Sequence, residues 1–87
     1  MADAKLLFAI YDDVTKMYEP PFVDINKGSA MRRIQDLMQS NPNSPYSKFP
    51  DNFVLMNMGE YTEETGQIFQ DTLEHVVDLK DIQPIKE

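Results

Sequence analysis

The chain has 87 residues, 41% of them apolar and 10% aromatic, with a formal net charge of -7 and no cysteine. That length holds one domain with a small core, the apolar share argues against wholesale disorder, and the absence of thiols excludes disulfides, thiolate metal sites and cysteine nucleophiles. No apolar run is long enough to span a membrane as a helix, and "LLFAIY" running into Asp12 and Asp13 does not read as an export signal, so a cytoplasm is the expected location.

In chain order, "KLLFAIYDD" predicts a strand. Leu6, Phe8 and Ile10 fall on one side and Leu7, Ala9 and Tyr11 on the other, and a strand apolar on both sides belongs in the middle of a sheet. "VTKMYEPPF" is a loop or an edge, because Pro20 and Pro21 each remove a backbone donor and bias the preceding residue to extended geometry. "NKGSAMRRIQDLMQS" predicts a helix with an apolar stripe of Ala30, Ile34, Leu37 and Met38, joined by Met31. Asn26 or Ser29 can cap its start, Arg32 and Asp36 can pair on its wet side, and Asn41 with Pro42 ends it.

"NPNSPYSKFP" shows no helical or strand period and reads as a shaped loop. "NFVLMNMGEY" and "TGQIFQ" predict two strands of a hairpin, with Gly66 supplying the positive φ at the exit of the turn. "DTLEHVVDLKDI" has helical spacing at Leu73, Val76, Val77 and Lys80, although "HVVDL" also suits a short strand; a short C-terminal helix is the preferred reading. The expected fold class is α+β, strand-helix-strand-strand, as one domain over residues 1–83 with a frayed tail at 84–87. Were the first two long strands parallel neighbours, the helix would form a right-handed crossover.

Catalysis is not expected. His75 is the only histidine, the three glycines are dispersed and make no phosphate cradle, and the acid pairs Asp12/Asp13 and Glu63/Glu64 lack further oxygen ligands at loop spacing, so neither a metal nor another cofactor is implied. Charge is distributed unevenly. Lys27 to Lys48 contains four bases and one acid, whereas Asp51 to Leu79 contains acids and no lysine or arginine. A basic patch set against an acidic face would follow if these segments occupy different sides.

Single-stranded nucleic acid is bound by ring faces for bases and cations for phosphates. The candidate residues for such contact are Tyr18, Phe22, Lys27, Arg32, Arg33, Tyr46, Lys48 and Phe49. Rings beside prolines more often serve as packed connectors, and an acidic chain repels a polyanion, so "SPYSKFPDNF" reads first as a stiff link or a protein-docking surface. Chains this small also complete their cores by pairing, which makes a homo-oligomer or a host-protein adaptor the alternative.

The segments "KLLFAIYD", "YEPPF", "NKGSAMRRIQD" and "NPNSPYSKFPDNFVLMNMGEYTEETGQI" together resemble, in order and spacing, the small nonstructural protein of gokushoviruses, tail-less single-stranded DNA bacteriophages of the microvirus group. The resemblance covers about residues 5 to 70 and departs at Phe49, where the family often carries histidine. It implies a noncatalytic product made in the cytoplasm of the infected bacterium and absent from the mature shell. Its implied role lies in viral genome replication or the switch to packaging, through single-stranded DNA or through phage or host replication proteins. The resemblance brings no catalytic residues with it.

Overall fold

The computed structural model describes residues 4–70 and 73–82. Six strands form one antiparallel sheet: β1 (Lys5–Asp12), β2 (Met17–Tyr18), β3 (Phe22–Asp24), β4 (Phe53–Thr62), β5 (Gln67–Phe69) and β6 (Glu74–Asp78). β1 and β4 pair along their length as the two central lanes. β2 and β3 share the outer edge of β1, and β5 and β6 share the outer edge of β4. Each outer lane is thus one interrupted strand. Between β2 and β3 the interruption is Glu19 to Pro21, where two consecutive prolines cannot donate to a ladder.

The long helix α1 (Lys27–Ser40) begins as expected: the Asn26 side chain accepts from the Ser29 N–H at 2.8 Å and satisfies an otherwise orphaned donor. It ends at Asn41, whose N–H bonds the Leu37 carbonyl. Ala30 and Ile34 are buried against Phe8, Ile10, Phe53 and Leu55, with Met31 and Met38 at the margin. One sheet face and one helix stripe therefore make the core. Burial of each large aliphatic there contributes about 1.5–3 kcal/mol.

The first two long strands are antiparallel, so the conditional crossover between them does not arise. The chain first turns back through β2 and β3, and α1 then carries it from β3 to β4, strands of the same direction flanking β1. The expected shaped loop consists of two short helical turns, α2 (Pro45–Lys48) and a 3-10 turn (Pro50–Asn52). Ser44 caps α2 and Pro45 occupies its first turn, where no N–H is needed. These turns are too short to show a period in sequence.

The preferred C-terminal helix is corrected to strand β6, followed by one 3-10 turn at Leu79–Asp81. Without β6 the outer edge of Val54 to Asn57 would lack ladder partners, and pairing that edge outweighs a four-residue helical spacing. The turn inserts Leu79 and Ile82 into the core, 0% and 8% exposed. The hairpin is as expected, with Gly66 at φ 74° and its N–H bonded to the Thr62 carbonyl. The expected frayed tail lies outside the described residues.

Candidate nucleic-acid interface

The eight candidate residues occupy three environments. Phe22, Arg33 and Tyr46 come together in a groove of about 350 Å³ between the β2–β3 edge and α1, completed by Glu19, Pro20 and Leu37. The Phe22 ring stacks on Phe8 at 5.8 Å, and the Arg33 guanidinium lies 5.1 Å from its centroid. Arg33 is itself held by Asp24 at 3.3 Å. Asp24 is buried; that desolvation raises its pKa, but hydrogen bonds from Ser29 and the Ile25 N–H, with the charges of Arg33 and Lys5, outweigh it and hold the carboxyl below its ordinary value.

Tyr46 is half-buried edge-on to Phe53, with ring centroids 4.8 Å apart, and its hydroxyl donates to Glu19 at 3.0 Å. Burial first, and then the Glu19 carboxylate, push the phenol up to about 12. Ser47 donates to the Met38 carbonyl at 2.7 Å, which ties α2 to the end of α1. The connector is therefore fixed at both Tyr46 and Ser47. It leaves Lys48 and Phe49 outward, with Phe49 57% exposed.

Arg32 and Lys48 are exposed and have no acid within ion-pair distance among the described residues. The expected Arg32–Asp36 pair does not form. Lys27 binds Glu74 at 2.9 Å, so the basic and acidic segments meet there and the anticipated separation of charge is incomplete; Lys5 of β1 binds a second acid of the C-terminal segment, Glu63, at 3.0 Å. Hydrogen bonds from Lys27 and Asn57 hold the Glu74 carboxyl below its usual range. Tyr18 lies elsewhere. It faces away from α1, on the opposite face of the sheet, with its ring 4.8 Å from Tyr11.

Asp12 and Asp13 have local tasks. Asp12 accepts from the N–H groups of Val14 and Thr15, Asp13 binds Lys16 at 2.9 Å, and the exposed His75 lies 2.8 Å from Asp78. No group of three or more acidic, histidine or cysteine side chains able to hold a metal occurs among the described residues.

Sequence reasoning missed Glu19, the partner that orients Tyr46, because the two are 27 positions apart. A family model described as "Phage ORF5 protein" matches residues 5–82. The chain belongs to that family. It is thus a bacteriophage protein, and the match extends through β6 and the closing turn. No curated protein and no solved structure matches it. Among the described residues of this phage protein, no helix is long and apolar enough to cross a membrane.

Proposed function

We propose that this phage protein is a noncatalytic accessory factor that contacts single-stranded DNA through its helical side. It would act in viral genome replication or the switch to packaging, in the cytoplasm of the infected bacterium. The observation that carries the reading is the exposed Phe49 ring beside Lys48, a cation without an acid partner among the described residues, on a connector locked by Tyr46 and Ser47. Arg32 offers a second such cation on the neighbouring helix, and Arg33 lies over Phe22. Rigid presentation lowers the ordering cost of a weak, few-contact site. The rings that face the core support the groove and do not stack on bases.

Anisotropy of a labelled oligothymidine across a salt series tests this. Contact through Arg32, Arg33 and Lys48 predicts that log affinity falls with log salt at a slope of roughly -2, from about 0.7 per phosphate. Lys48→Ala reduces the slope by about 0.7, and Phe49→Ala weakens binding by about 1–3 kcal/mol with the slope retained. Absence of binding, or binding indifferent to salt, refutes the reading.

A second reading, a protein-interaction module without nucleic acid, is favoured by one observation: the sheet face opposite α1 carries apolar side chains outside the core cluster. A second copy of the chain or a host protein is the partner that this reading implies. Failure of oligonucleotide binding together with a stable protein complex would select it.

A further inference from the structure

We propose that the sheet face opposite α1 is the interface of a homodimer, in which two copies of this chain stack their sheets into a helix–sheet–sheet–helix sandwich. The inference does not depend on DNA contact. Ladder register and strand alternation place Leu7, Ala9 and Tyr11 of β1 beside Val54 and Met56 of β4 on this face. Ala9 is 1% exposed yet lies outside the core cluster, and none of the other four packs against that cluster. Tyr18 and Ile68 extend the face at its margins, 42% and 58% exposed. The described fold measures 39 × 33 × 17 Å, and its short dimension accommodates the sheet and α1 but no layer beyond the sheet.

The area suits a dimer. Four lanes about 4.8 Å apart, with strands rising about 3.3 Å per residue, give a face of roughly 20 by 30 Å. Its side-chain relief brings the accessible area toward the ~800 Å² per partner of a standard interface. Charge also suits a second copy. The central residues carry none, and two of the charged pairs near the margin are matched within the same molecule, Lys5 with Glu63 and Lys16 with Asp13, while Asp78 is hydrogen-bonded to His75. An identical face therefore meets little of the repulsion expected from a net charge of -7.

The other occupants fit less well. Nucleic acid would find the Tyr11 and Tyr18 rings, but the lysine near them, Lys16, already holds the Asp13 carboxylate. Edge-to-edge pairing is blunted by Pro20 and Pro21 on one side, and by short strands with a register shift opposite Leu55 and Met56 on the other. Aligned packing of two such faces matches the ordinary geometry of stacked sheets.

Sedimentation of the full chain from about 5 to about 500 µM tests the proposal. The expected result is a concentration-dependent rise to twice the 10.1 kDa chain mass. Met56→Lys is expected to abolish the dimer, and Ile68→Lys, at an exposed margin that leaves the monomer fold intact, to weaken it by about tenfold or more. Arg32→Ala, on the helical side, keeps it. A chain that stays monomeric throughout overturns the proposal, and tyrosine quenching by oligothymidine in that monomer would assign the face to bases. Dimerisation of Ile68→Lys at wild-type strength also overturns it, whether or not Met56→Lys folds.

Discussion

Replacing Tyr46 with phenylalanine removes one hydroxyl and keeps the ring that packs edge-on to Phe53. The lost interaction is the hydrogen bond to Glu19 at 3.0 Å, between a half-buried phenol and a half-buried carboxylate. A bond to a charged acceptor is worth about 1.5–3 kcal/mol when enclosed, and solvent at the groove mouth reduces this to about 1 kcal/mol. The pH dependence follows from the phenol being pushed up to about 12. An unfolded tyrosine titrates near 10, so the folded state holds the proton more tightly. The stabilisation is complete below about pH 10 and is lost as pH rises to about 12, because the unfolded chain ionises first.

Two pH units correspond to about 2.7 kcal/mol before screening and about 1 kcal/mol after it. Urea denaturation of wild type and Tyr46→Phe, followed by circular dichroism, should show wild type more stable by about 1 kcal/mol near pH 8, with the gap closing toward pH 12. Phenolate absorbance should lose its latest-titrating component in the variant. A gap that is absent near pH 8, or unchanged near pH 12, refutes the assignment of Tyr46 and Glu19 as the bond that fixes α2.

Two further perturbations separate backbone from side-chain effects. Gly59 has φ 141°, and a Cβ there would lie 2.3 Å from the Phe69 carbonyl oxygen, whereas Gly66 has φ 74° and open space. Gly59→Ala should therefore cost roughly 3 kcal/mol or more through strain and displacement of β5, and Gly66→Ala about 1 kcal/mol; equal costs in urea unfolding would contradict this account. Asp24→Asn should destabilise the protein near neutral pH by about 1–3 kcal/mol, by weakening the Arg33 and Ser29 interactions. Since the folded carboxyl titrates below its ordinary value, this contribution is present above about pH 4 and disappears as pH falls through the folded pKa. A wild-type advantage that persists at the lowest pH of an acid-denaturation series would contradict it.

Several features were legible because they are local. The alternation of β1, the Asn26 cap, the Gly66 turn and the α1 stripe, apart from Leu37, which is 37% exposed outside the core cluster, each depend on residues a few positions apart, where backbone geometry and side-chain period act directly. The candidate interface was legible only as composition. Eight residues were nominated for charge and aromaticity, and three of them meet in one groove, Lys27 is joined to Glu74, and Tyr18 faces the far side of the sheet. Spacing along the chain contains no statement of which ring a distant carboxylate will orient.

Tertiary pairing decided the rest. Val76 and Val77 satisfy helix and strand spacing alike, and the open ladder edge of β4 made them a strand. Both sides of β1 are apolar, and among the described residues α1 covers one of them. A sequence states which residues avoid water; only the assembled sheet shows which of them have found cover, because burial is a property of neighbours brought together across the whole chain.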